Sequence, residues 1–270
     1  MTPQTVQRRG LSPESIQLAL APQCRKHNTS LGETSPVQIV VTPAQNEAET
    51  IADIVRAIRA LGYGSVVVDD ASVDDTGQLA FDAGASVVRL DQSFGVGHAL
   101  RRGFAHAKTL GATAIVQCDG DGQHPTDDIS TLFATRVDCS LVIGSRFLSD
   151  DHFALSGAKK LGITLLRRRL WTKVGLRVTD PTSGFRCIRE PLLSAFADDF
   201  PSSYLGDTFE ACLAAAELVG SARIGEIGVR MRDRQGGVPF AKGPKAAWLL
   251  VRALVMTSSP FRKPLAPLKR

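Results

Sequence analysis

Between Val37 and Gly144 the chain alternates short β-branched runs with longer amphipathic stretches, and that alternation restricts it to few folds. Val37–Val41, Ser65–Val68, Ser86–Leu90, Ala114–Cys118 and Leu141–Gly144 are apolar runs of the kind a buried strand takes. Helical spacing fills the intervals. Asn46, with Glu49 three residues on, has the pattern of a capped helix start, and Ile51, Ile54, Ile58 and Leu61 form its apolar stripe up to Gly62. Ser72–Asp75 opens a second helix running through Phe81, Gly95–Leu110 gives a third, and Pro125 opens a fourth. Strand–helix units with short links predict an α/β domain with a mostly parallel central sheet flanked by helices. Ligands of such sheets bind beyond the carboxyl ends of the strands. Here those ends carry Pro43–Glu47, Asp69–Asp70, Asp119–Asp121 and Ser145–Arg146.

The rest of the 270 residues is organised around that unit. Residues 1–36 are rich in Pro, Ser, Thr, Gln and Asn and read as a flexible leader. Arg8-Arg9 precedes a short apolar stretch, but Glu14 and Gln17 interrupt it, which argues against an export signal. Residues 37–240 are expected to form the main domain and 241–270 a basic helix and tail. The longest apolar run, Ala246–Met256, is broken by Arg252 and is too short to span a membrane. Five cysteines, Cys24, Cys118, Cys139, Cys187 and Cys212, lie scattered without a Cys-x-x-Cys pair, so neither a zinc ribbon nor a disulfide framework is indicated. The last four stand among apolar or small residues and are expected to be free core thiols.

Asp119-Gly120-Asp121-Gly122-Gln123-His124-Pro125 is the strongest chemical signal. Two carboxylates separated by one glycine at a strand end suit a hard cation such as Mg²⁺ or Mn²⁺, with Gln123 as a neutral oxygen donor. A turn that uses Asp and Gly for their backbone tolerance is the alternative. Asp69-Asp70 follows a strand as well; a carboxylate there either bonds a base or ribose or is a charged strand end. Gly95-Val96-Gly97 lacks the third glycine and the acidic residue of a dinucleotide fingerprint. His98 and His124 are proton-shuttle candidates, although isolated histidines are more often structural.

Taken together in their order and spacing, these motifs resemble those of family 2 glycosyltransferases. The similarity is to the dolichol-phosphate mannosyltransferase-like, polyprenyl-phosphate branch. The matching pieces are Pro43-Ala44-Gln45-Asn46-Glu47, Val68–Thr76, Gly95-x-Gly97, Asp119–Pro125, Gly144-Ser145-Arg146-Phe147, Asp180-Pro181-Thr182-Ser183-Gly184-Phe185-Arg186 and Arg234-Gln235-Gly236-Gly237. The resemblance implies a GT-A fold, a nucleoside-diphosphate sugar donor and a divalent metal under the diphosphate. By that analogy Pro43, Gln45, Glu47 and Asp70 line the nucleotide pocket, and Asp119, Asp121 and Gln123 organise the metal. Arg146 and Arg234 meet phosphates, a task for which the guanidinium fork is suited. Gln45 stands where the family often has Tyr or Leu, and Val238-Pro239 replaces the usual small residue plus Ser.

The leading expectation is inverting transfer to a polyprenyl phosphate, an acceptor that is already ionised and needs little help from a base. A sugar hydroxyl acceptor would need one, and Asp180 or Asp207 would then supply it. A module that binds nucleotide and membrane without turnover is the third reading. Lys159, Lys160, Arg167, Arg168, Arg169, Lys173 and Arg177 alternate with Leu161, Ile163, Leu165, Leu166, Leu170, Trp171 and Val174, and no acidic residue interrupts them. From Gln235 onward Asp and Glu are again missing. The modest excess of 32 Lys+Arg over 27 Asp+Glu is thus gathered in two patches. They predict peripheral attachment to an anionic, cytoplasmic membrane face and leave room for a membrane-protein partner. No aromatic-interleaved motif speaks for nucleic acid.

Overall fold

The computed structural model of the protein describes residues 36–149, 157–199 and 208–234. The leader, the segment 241–270, Asp207 and the loop from Gln235 lie outside the described residues. A seven-stranded sheet runs through the centre: β1 (Gln38–Ala44), β2 (Gly64–Asp69), β3 (Ser86–Arg89), β4 (Ala114–Gln117), β5 (Leu141–Ser145), β6 (Arg186–Arg189) and β7 (Ile224–Gly228). Their spatial order is β3-β2-β1-β4-β6-β5-β7. All neighbours are parallel except β6, which lies antiparallel between β4 and β5. Because β6 runs backwards, its entry, Ser183–Phe185, arrives at the same edge where β1, β2, β4 and β5 end. That reversal carries the Asp180–Arg186 motif to the site.

Among the described residues seven α-helices cover the sheet: α1 (Ile51–Ala60), α2 (Thr76–Asp82), α3 (Val96–Thr109), α4 (Ile129–Ala134), α5 (Gly157–Val174), α6 (Leu192–Asp199) and α7 (Thr208–Val219). Alternating strand residues supply both faces, as the pleat requires. Ile39, Val41 and Ile115 pack with Leu100 and Phe104 of α3, Leu166 and Leu170 of α5, Phe196 of α6 and Phe209 of α7. On the other face, Val40 and Val116 meet Ile54 and Ile58 of α1 and Ile129, Leu132 and Phe133 of α4. At Gly103, α3 lies so close to the sheet that a Cβ would stand 2.4 Å from Val41 Cγ1.

Several local expectations are corrected. Asn46 does not open a helix: its φ of 56° is left-handed, and its side-chain carbonyl accepts the Val73 N–H at 2.9 Å. The helix begins five residues later, after Thr50. The helix expected after Ser72–Asp75 does start there, at Thr76 with Asp75 in the N-cap position, and Asp74 accepts from Thr76 N at 3.1 Å as well as from Ala48 N at 3.3 Å. Pro125 leads into a 3₁₀ turn, Thr126–Asp128, before α4 starts. Cys118, Cys139, Cys187 and Cys212 are buried free thiols, as expected, and burial pushes Cys187 up to about 12.

Candidate active site

Strand ends and the loops leaving them gather the candidate residues at the carboxyl edge of the sheet. Pro43 sits in β1 beyond the last β1–β4 register pair, Val41–Gln117, where a missing N–H breaks no ladder with β4. The chain then turns through exposed Gln45, whose Nε2 donates to the Asp70 carbonyl at 3.0 Å. Glu47 follows, 8% exposed, its own N–H donated to Thr76 Oγ1 at 2.8 Å. Asp70 stands at the same edge with its carboxylate already accepting from Ser93 Oγ (2.8 Å), Phe94 N (3.1 Å) and Gly95 N (3.2 Å). It thereby fixes the approach to α3. Asp69 is a different case. Its carboxylate is fully buried, accepts Ser72 N at 2.8 Å and lies 3.2 Å from Arg89 Nη1. Position 69 points into the packing with α2 and β3, because alternate strand residues face opposite sides, so the expected base or ribose contact is not available to it.

After β4, Asp119 and Asp121 leave the strand end together. His124 is the orienting residue: Nδ1 accepts the Asp119 N–H at 2.8 Å, Nε2 lies 3.6 Å from Asp119 Oδ2, and the ring stacks on Phe185 with centroids 4.9 Å apart. With Nδ1 accepting, the ring proton belongs on Nε2, facing the carboxylate. Asp121 accepts the Gln123 N–H at 2.9 Å and pairs with Arg234 Nη2 at 2.7 Å. Arg234 Nη1 is 3.8 Å from Glu47 Oε1. One guanidinium therefore serves two carboxylates. Burial, and the like charge of Asp121 beside it, push the Glu47 carboxyl up to about 7 against the pull of Arg234. The backbone of the turn is held from α1, where the Thr50 hydroxyl donates to the Gly120 carbonyl.

The donor set fits a hard cation. Asp119 leaves 38% of its side chain exposed, Asp121 has oxygens at the same turn, and Glu47 Oε2 is buried without a hydrogen-bond partner. Among the described residues no group of three or more His, Cys, Asp or Glu side chains is placed to hold a metal ion. A cation held by two carboxylates and completed by other oxygens matches what Mg²⁺ accepts.

At the same edge of the sheet, Arg146 leaves β5 and meets the loop entering β6. Its Nε and Nη2 donate to Asp180 Oδ2 and Oδ1, both at 2.7 Å, and Nη2 also reaches Thr182 Oγ1 at 2.7 Å. Asp180 is fully buried. Burial acts to raise its pKa, but the Arg146 hydrogen bonds and charge outweigh it and hold the carboxyl below its ordinary value. This corrects the expectation that Asp180 is available as a base: it is the counter-ion that fixes Arg146. The sequence reading missed Glu226 and Thr179, which brace this loop together with Ser145 of the Gly144–Phe147 motif. A lone glutamate in the apolar strand Ile224–Gly228 was the available signal.

Residues 39–196 match the family described as glycosyl transferase family 2. The chain belongs to that family. It is a glycosyltransferase. Among its relatives is Glycosyltransferase AglJ of Haloferax volcanii, 34% identical over 157 residues, covering 57% of this chain and 51% of the relative. The glycosyltransferase thus spans about half the length of that protein. The undecaprenyl-phosphate mannosyltransferase of Micrococcus luteus is 28% identical over 215 residues, covering 74% of this chain and 85% of the relative. In shape the protein is similar to glucosyl-3-phosphoglycerate synthase of Mycobacterium tuberculosis, solved with Mn²⁺, UDP and glucosyl-3-phosphoglycerate. The TM-score is 0.61 at 20% identity, over 94% of this chain and 85% of that one. The fold is the GT-A fold.

Proposed function

We propose that this glycosyltransferase moves a sugar, with inversion, from a nucleoside-diphosphate sugar to a polyprenyl phosphate at a membrane surface. The observation that carries the reading is the Arg146–Asp180 pair. The acidic residue of the acceptor-side motif is buried and bound through both oxygens, so of the two candidate bases Asp180 is not placed to collect a proton from an attacking hydroxyl, and Asp207 lies outside the described residues. A phosphate monoester needs no such base, because its second pKa is about 6 and it arrives ionised. Arg146, with 21% of its side chain exposed, is preoriented to receive that anion. Mannosyl transfer involving undecaprenyl phosphate, named for the Micrococcus relative, is the same class of chemistry.

On the donor side, Gln45, Glu47 and the Asp70 loop would border the nucleoside, and Arg234 would turn from Asp121 toward the diphosphate. Asp119 and Asp121, with Gln123 beside them, would hold Mg²⁺ or Mn²⁺, which supplies charge stabilisation for the departing diphosphate. His124 keeps Asp119 in register from behind. The acceptor oxygen attacks the anomeric carbon on the face opposite the diphosphate, which accounts for inversion. A peripheral, cytoplasmic-face location is part of this proposal, and it rests on the basic residues of α5; no helix of the described residues is long and apolar enough to cross a membrane.

Purified protein should be offered a panel of nucleotide sugars with polyprenyl phosphate, polyprenol or a free sugar as acceptor. Transfer to the phosphate alone is expected, lost in excess chelator and restored by Mg²⁺ or Mn²⁺. Asp121→Asn should lower turnover by about 100-fold or more, and Asp119→Asn should cripple it too. Transfer to hydroxyl acceptors in preference to the phosphate would overturn the acceptor assignment, and full activity in chelator would overturn the metal.

A further inference from the structure

Asp180 lies in the irregular stretch between α5 and β6, where no ladder fixes the backbone. Its orientation of Arg146 therefore depends on what satisfies the loop's own peptide groups. The structure answers this at one peptide. The Thr179 carbonyl accepts from Arg167 Nε at 2.6 Å and from Arg167 Nη2. The Asp180 N–H, at the other end of the same peptide plane, donates to Glu226 Oε1 at 2.9 Å. Glu226 Oε2 takes the preceding N–H, from Thr179, at 2.6 Å, and Thr179 Oγ1 lies 3.1 Å from Glu226 Oε1. A cation on the carbonyl and an anion on the N–H hold this plane through charge-assisted hydrogen bonds, about twice as strong as neutral ones.

Arg167 also contacts the β5 exit, and Glu226 is linked to it through Thr179. Arg167 lies over the Phe147 ring at 5.1 Å, and Arg146 lies over the same ring at 5.6 Å. Ser145 Oγ meets Thr179 Oγ1 at 2.6 Å and accepts the Phe147 N–H at 3.1 Å. The proton order follows: Phe147 N–H to Ser145, Ser145 O–H to Thr179, Thr179 O–H to Glu226. Glu226 accepts at all three bonds; burial raises its carboxyl above the ordinary value, and these three hydrogen bonds pull the other way.

We propose that Arg167 and Glu226 are a positioning pair, clamping the Thr179–Asp180 peptide from opposite ends so that Asp180 presents Arg146 to the acceptor phosphate. The inference rests on the acceptor-side reading of Arg146 given above. Neither residue touches a reacting atom in this scheme; each acts through Asp180. Misplacement by about 1 Å at a site of this kind lowers turnover by about 100-fold.

The test pairs kinetics with a readout that does not require turnover. Glu226→Gln keeps the volume but sets an amide N–H₂ against one of the two backbone N–H donors. Arg167→Lys keeps the charge but loses the fork and the ring contact. Both variants, and the double variant, are compared with the full-length parent by transfer kinetics, donor binding, thermal unfolding and the NMR signal of the Arg146 Nε–H. Each single variant is expected to shift or broaden that signal and to lower kcat/KM for polyprenyl phosphate by about 10-fold or more, leaving donor affinity within about 2-fold. The double variant should cost little more than the worse single one, since both act on one peptide. An unchanged Nε–H signal in both variants would overturn the proposal, as would a parallel loss of donor and acceptor binding with a lowered Tm. If the signal moves but the parent transfers nothing to polyprenyl phosphate, the clamp stands and the acceptor reading falls. Should Glu226→Gln fail to fold, half-buried Arg167 on α5 still carries the test.

Discussion

Replacing Arg146 by lysine would keep a positive charge while removing the two parallel bonds to Asp180 and the third to Thr182. An ammonium makes a single point contact where the guanidinium makes a fork. Turnover with the phosphate acceptor is expected to fall by about 10-fold or more, with donor binding retained, as measured by initial rates and by donor titration. The reciprocal change, Asp180→Asn, acts on stability. It strips the charge from a fully buried partner and so breaks the ion pair with Arg146, a loss on the order of 3–5 kcal/mol for buried pairs. The pH dependence has a definite sign. Folding lowers the Asp180 pKa, so the folded form binds its proton less tightly than the unfolded chain. The stabilisation is fully present above the unfolded value of about 3.9 and is lost as pH falls through the lower folded value. Urea unfolding between pH 2 and 7 should therefore show a shallower acid limb for Asp180→Asn than for the parent. Equal limbs would mean that the pair contributes nothing. The candidate site was half legible in the sequence: Asp119 and Asp121 stood out by type and position, and the family resemblance singled out Arg146 and Arg234. The side to which Asp180 and Asp69 turn depends on burial and loop path, which residue type does not encode.

Helix α3 shows how far element-level reading reaches. Its extent follows from the pattern Gly95–Leu110, and the observed Val96–Thr109 differs only at the ends. The pattern does not reveal that the helix presses on β1 and β2 at Gly103. There a Cβ would meet Val41 Cγ1 at 2.4 Å and Val68 Cγ2 at 2.9 Å. Alanine normally favours a helix over glycine by about 1 kcal/mol, yet overpacking a tight core costs about 1–3 kcal/mol. Gly103→Ala is expected to lower the Tm by several degrees, and an unchanged or higher Tm would show that α3 can lift off the sheet. The elements that escaped the sequence share a physical cause. In β6, Arg186-Cys187-Ile188-Arg189, the arginines are internal ligands: Arg186 donates to the Ser183 and Thr208 carbonyls, and Arg189 to the Leu132, Phe133 and Thr135 carbonyls ending α4. Charged residues spent on backbone carbonyls hide a buried strand from any hydrophobic pattern. Asn46 misled in the opposite direction, since a residue type favoured at helix caps is also one that tolerates the left-handed turn it occupies here.

Across the whole molecule, α5 joins the acceptor loop to the surface. One side of the helix buries Leu166 and Leu170 and holds Thr179 through Arg167. The other side exposes Leu161 (62%), Leu165 (39%) and Trp171 (51%) beside exposed Lys160 and Arg168, and the Trp171 ring carries Arg177 at 5.3 Å. This divides the basic run that the sequence presents as one amphipathic face. Arg167 belongs to the interior side, so neutralising Arg167, Arg168 and Arg169 together would confound loop support with surface charge. The surface expectation narrows to residues that face outward. A helix with exposed leucines, an exposed indole and cations suits shallow insertion at an anionic leaflet, where each basic side chain contributes about 1 kcal/mol. The substitutions Leu161→Ser, Arg168→Gln and Trp171→Ser, combined, should reduce sedimentation with anionic vesicles by about 10-fold or more at low salt, and added salt should weaken the parent's binding. Arg167→Lys should bind vesicles as the parent does while transferring poorly. Vesicle binding by the triple variant equal to the parent's would place α5 against solvent and move the membrane contact elsewhere in the chain. Reversal of the two effects, with Arg167→Lys losing vesicles and the triple variant losing only turnover, would mean that the helix faces have been assigned the wrong way round.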